Sequence, residues 1–174
     1  MILPKIRDPR LITIRRGGTL TDENHYLLAI WAAKCAEHVL PLFEKEFPED
    51  RRPRKAVEQA LAWARGEIEL NEAKRSAFHS NAAASELVGA ARFSAYSAGQ
   101  AAAVGHVAAH ELGAAAYAIK AVMAAGEVNE EKYNGRKECK WQQEQLPEGI
   151  KELVLEDQRN RNDICWNVFQ LLDE

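Results

Sequence analysis

The apolar positions of this chain recur mainly at the spacing of α-helices. After Thr21, a residue type that caps helix starts, apolar side chains return every three or four residues as far as Val39. This period predicts a helix with one buried face. Pro41 lies inside the continuing pattern and removes a backbone hydrogen bond, so we expect a break near Leu40.

Proline and glycine mark the boundaries of further helical segments. Proline is favoured in the first turn of a helix and glycine just after its end. The fold class predicted is all-α, a bundle of roughly seven or eight helices with short antiparallel connections. The further helices are expected from Pro53 to Gly66, from after Asn71 to Gly89, from Gly89 to about Val104, from His106 to Ala125, from Asn129 to Leu146, from Pro147 onward, and from Asn162 to about Leu172.

The N-terminal segment has a different pattern. Residues Leu11–Arg16 alternate apolar and polar positions and end at a Gly17-Gly18 pair, which is typical of a strand followed by a turn. A single strand lies on the helices as an extended arm or pairs with another copy of the chain. We therefore expect an extended or short β arm over 1–20 and a single helical domain over 21–174.

Alanine dominates one long stretch of the chain. Nineteen of the forty-four residues from Ala82 to Ala125 are alanine. Small side chains allow helix backbones to approach closely, so this stretch is expected to be the packing centre of the bundle. Such faces could also mediate self-association. Polar residues such as Arg92, His106 and Lys120 interrupt the stretch, which argues against a membrane span there.

Charge and composition disfavour several function classes. The 174 residues carry a net charge of -3, whereas nucleic-acid-binding domains are usually basic. The basic cluster Arg51–Lys55 follows Glu49 and Asp50, and Arg15-Arg16 precedes two glycines. In both places a solvated loop or helix start is favoured over an anion-binding site. We therefore predict no nucleic-acid ligand.

The cysteines and the first residues indicate the compartment. Cys35, Cys139 and Cys165 form no CxxC pair, which is typical of reduced thiols in a cytosolic protein. The N-terminus carries charges and prolines where a cleaved leader would have an apolar core. The expected location is the cytoplasm, without membrane association.

Candidate metal ligands are few. On a helix, His106 and His110 would lie on one face, with His38, Cys35 or His79 as possible additional ligands. A zinc site needs at least three protein ligands, so packing of the two histidines within the bundle is favoured over a metal site.

Motifs for catalysis are also weak. Cys35 and His38 lie close in sequence, as a thiol and base do in nucleophilic catalysis. Cys35 falls in the apolar stripe, however, where a buried thiol is unreactive. The chain contains no phosphate loop, dinucleotide fingerprint or GxSxG elbow. The sequence therefore indicates neither an enzyme nor a cofactor.

The last third of the chain offers a candidate protein-binding surface. Glu148, Glu152 and Glu156 recur along one edge of a predicted helix, and Tyr133 and Trp141 precede them. Aromatic side chains surrounded by charge are typical of protein interfaces. The alternative is an ordinary solvated face with Trp141 partly buried in the bundle.

Several blocks resemble one known family. Their shared order over most of the chain, from about Arg15 to Val154, makes the resemblance more specific than any single block. The chain is similar to the bacterial and archaeal putative immunity protein family. The blocks are Arg15–Asp22, Trp31–Phe43, Arg52–Glu58, Trp63–Glu67, His110–Ala121 and Trp141–Pro147.

The resemblance implies an all-helical cytoplasmic protein that protects a cell by binding a cognate toxin. The family brings no catalytic residues to carry over to this sequence. The alternative hypothesis is a bundle that binds a metal or small ligand near His106 and His110 and acts as an enzyme or sensor.

Overall fold

The computed structural model describes residues 2–169, and these form a helical bundle. Seven long helices and one single-turn helix make up the bundle, in agreement with the predicted fold class. The helices are α1 (Asp22–Val39), α2 (Pro41–Glu44), α3 (Arg52–Ala64), α4 (Leu70–Ser85), α5 (Gly89–Ala103), α6 (Glu111–Ala125), α7 (Glu131–Glu144) and α8 (Glu148–Arg161).

The helix boundaries follow the local signals in the sequence. The Thr21 side chain accepts a hydrogen bond from the backbone N–H of Asn24 at 3.2 Å and so caps α1. The expected break before Pro41 is confirmed, because α1 ends at Val39 and α2 begins at Pro41. Gly89, with a φ of 65°, separates α4 from α5 as predicted.

The alanine-rich helices α5 and α6 pack closely against each other and lie at the centre of the bundle. Each also contacts α1, while α5 contacts α3 and α4 and α6 contacts α7. The hydroxyl of Ser97 on α5 donates a hydrogen bond to the carbonyl of Ala114 on α6 at 2.7 Å. This bond shows how near the two backbones lie, so the expected role of the alanine run in packing is confirmed.

Enlarging a buried side chain of α5 is expected to be destabilising. Ala98 on α5 is fully buried, so Ala98→Leu should lower the free energy of unfolding by about 1–3 kcal/mol through overpacking. The matched variant Ala82→Leu, at an exposed position of α4, should change it by less than about 0.5 kcal/mol. Urea denaturation of both variants measures the difference, and equal stabilities would contradict close packing at Ala98.

The N-terminal segment does not form the predicted strand. Within residues 2–169 no strand occurs, and Pro9–Leu11 and Ile14–Arg16 are 3₁₀ turns. The Asp8 carboxylate accepts a hydrogen bond from the Arg10 backbone N–H at 2.8 Å, which stabilises the first turn. The alternating pattern was misleading because local turn contacts outweighed the strand preference of β-branched residues.

Gly18 allows the N-terminal segment to fold back on itself. A Cβ on Gly18 would lie 2.0 Å from the Ile12 carbonyl oxygen, so a larger residue does not fit. The Leu20 N–H donates to the same carbonyl at 2.9 Å. Ile2 and Leu11 are buried in the main core, which fastens the segment to the helices. Because this segment forms no strand within residues 2–169, the expected pairing of strands between copies has no structural basis. The division of the chain into an arm over 1–20 and a helical domain over 21–174 stays a prediction.

The expected last helix from Asn162 is also wrong over the described residues. After α8 the chain forms turns over 162–167, and Trp166 and Asn167 adopt positive φ angles of 58° and 55°. The Asn162 side chain bonds to both the N–H and the carbonyl of Phe169, at 3.0 Å each. These side-chain bonds compete with helix formation. Leu172, near which the predicted helix ends, lies outside the described residues.

One helical stretch has the length and apolar character of a membrane span. Asp22–Glu44 has 23 residues and a mean hydropathy of 1.2 over its best window. Core helices of soluble proteins pass the same test, and 56% of this window is buried inside the bundle.

Candidate functional site

The polar helix α7 is fastened to the bundle by buried hydrogen bonds. The Trp31 indole N–H donates to the Gln142 carbonyl at 2.8 Å, and the Gln142 amide donates to the Ala115 carbonyl at 3.2 Å. Gln142 and Trp31 are both fully buried. Since buried polar groups are costly without partners, these bonds fix where α7 lies on α1 and α6.

Trp141 of the predicted binding surface is engaged within the protein. Its ring stacks on the His38 imidazole with centroids 3.7 Å apart and an angle of 15° between the planes. The His38 Nδ1–H donates to the Glu138 carboxylate at 2.9 Å. These side chains line a cleft of about 500 Å³ between α1, α6 and α7. Trp141 is thus half-buried at the edge of a cleft, not an exposed anchor.

The other members of that surface are spread along α7 and α8. Tyr133 is 63% exposed near the start of α7, a helix that rises about 20 Å over its length. Glu148 and Glu152 are exposed on α8, beyond the far end of α7. Glu156 accepts a hydrogen bond from Arg10 of the N-terminal segment at 2.7 Å. The structure therefore divides the predicted surface into an exposed tyrosine and an acidic edge of two exposed carboxylates.

His106 and His110 do not share a helical face. His106 lies in the turn after α5, His110 ends a 3₁₀ turn, and α6 begins only at Glu111. The predicted helix start at His106 is wrong because Gly105 and Val107 lie in a connecting turn. The His110 Nδ1–H donates to the Gln100 side-chain oxygen at 2.8 Å. Burial lowers the pKa of His110 to about 4, with smaller contributions from His106 and Arg161.

The proposed metal ligands do not converge. Among residues 2–169, no group of three or more His, Cys, Asp or Glu side chains is arranged to hold a metal ion. Cys35 is fully buried and burial raises its pKa well above the usual value, as expected for an unreactive thiol. His38 is engaged with Glu138, and His79 lies exposed on α4.

The basic cluster at the start of α3 is largely neutralised. Arg54 forms two hydrogen bonds with the Glu44 carboxylate, each 2.8 Å long. Arg52 pairs with Asp50 at 2.7 Å and Arg51 with Glu58 at 3.3 Å. This arrangement fits the expected solvated helix start.

Sequence reasoning missed a cleft beside the N-terminal segment. It measures about 660 Å³ and lies between that segment, α1, α3 and the turn before α6. We name it the arm cleft. The signal available in the sequence was the charge of residues 2–20, which include five basic side chains and one acidic one. Its charged and aromatic lining comprises Arg7, Arg15, Arg16, Asp22, His25, Tyr26, Trp63, Glu69 and His106.

Comparison with known proteins identifies the class of the molecule. Residues 18–149 match a family model of immunity proteins, which is more than half of the chain. The chain belongs to the family described as Imm-5 like putative immunity protein. Membership confirms the resemblance of the sequence blocks and indicates an immunity function with a protein partner. No curated protein and no solved structure matches the chain.

Proposed function

We propose that this protein neutralises a cognate toxin by binding it directly in the cytoplasm, without a catalytic step of its own. The observation that carries the proposal is the family match over residues 18–149. An immunity protein of this kind acts through the stability of its complex, so a surface that is ordered before binding favours tight association.

The α7 and α8 surface is the candidate contact region. Its exposed members are Tyr133, Glu148 and Glu152. The buried bonds of Trp31 and Gln142 hold α7 in position, and the Gln143 amide donates to the Gln158 side-chain oxygen at 2.9 Å, which links α7 to α8. An exposed aromatic side chain and a separate acidic edge, both carried by helices that are fixed before binding, suit specific protein recognition.

The test is co-expression with a candidate cognate toxin, sought among the products of the neighbouring genes. We expect growth to be protected and a stable complex to be purified. Tyr133→Ala should weaken that complex by at least about tenfold, as loss of an interface anchor does. The charge reversal of Glu148→Lys combined with Glu152→Lys should slow association by replacing attraction with repulsion. Surface plasmon resonance measures the affinity and the association rate separately, and so distinguishes the effect of Tyr133→Ala from that of the charge reversal.

The matched control is Glu72→Lys, which reverses one exposed charge on α4, away from this surface. It should leave both the affinity and the association rate unchanged. Protection of growth without any complex would contradict neutralisation by binding. If neither Tyr133→Ala nor the double charge reversal weakens the complex, neutralisation by binding is still supported. The contact region then does not lie on the α7 and α8 surface.

A further inference from the structure

The arm cleft has an aromatic wall held in a fixed position. The Trp63 ring contacts the Tyr26 ring edge-on, with centroids 5.3 Å apart, and the His25 ring at 4.9 Å. A Cβ added to Gly105 would lie 2.9 Å from the Trp63 ring. Glycine is thus the residue that lets the turn before α6 pack directly on this ring. A rigid aromatic face beside a cavity is what a planar ligand requires.

The other wall of the arm cleft is basic. Arg15 forms an exposed ion pair with Asp22 at 3.2 Å. Within residues 2–169, the side chains of Arg7 and Arg16 make no hydrogen bond or ion pair, and both residues border the cavity. Asp22 and Glu69 are the acidic side chains in the lining, so the arginines exceed them in number.

The two imidazoles of the cleft experience this positive charge. Burial lowers the pKa of His106, and Lys74, Arg16 and Arg7 lower it further. Burial also lowers the pKa of His25, whereas its hydrogen bond to the Val104 carbonyl and the charge of Asp22 raise it. Arg15 and Arg16 add smaller lowering effects. Arg16 is thus close enough to both rings to affect them electrostatically, and it is one of the residues that line the cavity.

We propose that the arm cleft binds a small organic anion, with its carboxylate or phosphate group held by Arg7 and Arg16 and its planar body against Trp63 and Tyr26. Arginine suits this role because its planar guanidinium binds either anion through two parallel hydrogen bonds. The sequence alone favoured a solvated loop at Arg15-Arg16. The fold changes that interpretation because it places a cavity and an aromatic wall behind the arginines.

This site does not depend on the proposed function. It lies at the N-terminal segment, whereas the candidate toxin surface lies on α7 and α8. The full chain can therefore be tested with named probes. Phenyl phosphate and benzoate carry both the ring and the anion, inorganic phosphate carries only the anion, and benzyl alcohol carries only the ring.

Titrations followed by NMR at the Trp63 indole N–H and the His106 ring test the proposal. We expect saturable shifts with phenyl phosphate or benzoate, several-fold weaker binding of inorganic phosphate, and no saturation with benzyl alcohol. Arg16→Gln should weaken phenyl phosphate binding by roughly tenfold or more, as loss of a charged hydrogen bond does. Trp63→Leu, with its fold checked by circular dichroism, should abolish the preference for phenyl phosphate over inorganic phosphate.

The matched control is Arg136→Gln, which removes an exposed arginine on α7 and should leave binding unchanged. Equal weakening by Arg16→Gln and Arg136→Gln would overturn the site, since it would show a nonspecific effect of net charge. Absence of saturation with all the anionic probes, or equal binding of benzyl alcohol, would overturn it as well.

Discussion

Replacing Arg161 with methionine is expected to lower the free energy of unfolding by about 3–5 kcal/mol. The Arg161 side chain is 4% exposed and pairs with two buried carboxylates. It donates to Glu111 at 2.9 Å and bonds with both oxygens of Asp157. Methionine fills a similar volume but leaves two carboxyl groups in the core without their cation.

The same guanidinium also connects three parts of the chain. It extends from α8, donates to the Ala109 carbonyl at 2.9 Å just before α6, and donates to the Ile2 carbonyl at 3.4 Å in the N-terminal segment. Burial already raises the pKa of Glu111, and Arg161 opposes that rise. Without the arginine, Glu111 and Asp157 lose the cation that stabilises them in the core. The N-terminal segment also loses the hydrogen bond that Arg161 donates to the Ile2 carbonyl, so its docking should weaken.

Two further variants identify the cause. Arg159→Met, at an exposed position in the same last turn of α8, should change the stability by less than about 0.5 kcal/mol. Combining Arg161→Met with Glu111→Met and Asp157→Leu should recover part of the loss, because apolar replacement of a whole buried ion cluster is often tolerated. Urea unfolding measures all three. Equal stabilities of Arg161→Met and Arg159→Met would contradict a buried ionic cluster.

Acidification is expected to destabilise the protein through His110. The folded-state pKa of about 4 lies below the ordinary histidine value of 6.5, so the unfolded chain binds the proton more readily. The stability that results is present above about pH 6.5 and is lost as the pH falls towards 4. The shift corresponds to about 3 kcal/mol across this window.

The measurement compares the wild type with His110→Gln, which cannot gain a proton in this range. Urea unfolding at several values between pH 7 and pH 4 gives the stability of each. The wild type should lose about 3 kcal/mol more than the variant between these limits. Burial also lowers the pKa of His25, but that contribution is common to both proteins and cancels in the difference. Parallel pH profiles would contradict the lowered pKa of His110.

The helical segments were predictable because their signals are local. Thr21, Pro41 and Gly89 act on the backbone within a few residues, and each marks a helix boundary where the sequence indicated one. The N-terminal segment shows the limit of this reasoning. The pattern of Leu11–Arg16 matched a strand, but the fit of Gly18 against Ile12 decided its conformation, and no periodicity reports such a contact.

The candidate sites were less predictable than the fold. Trp141 and Glu156 had the right residue types for a binding surface, yet His38 and Arg10 engage them from other parts of the chain. The arm cleft was missed for a related reason. Arg16, Trp63 and His106 are distant in sequence, and only chain folding brings them to one cavity.

By itself, the sequence determined the all-helical class, most helix boundaries, the close packing of the alanine-rich helices and the family. These properties depend on backbone preferences, side-chain size and the order of sequence blocks, which are all present in the linear chain. Only the tertiary structure decided the docking of the N-terminal segment on the helices, the burial of Arg161 with its two carboxylates, and the lining of the arm cleft. These depend on contacts between residues distant in sequence, whose free energies arise only when the helices have packed.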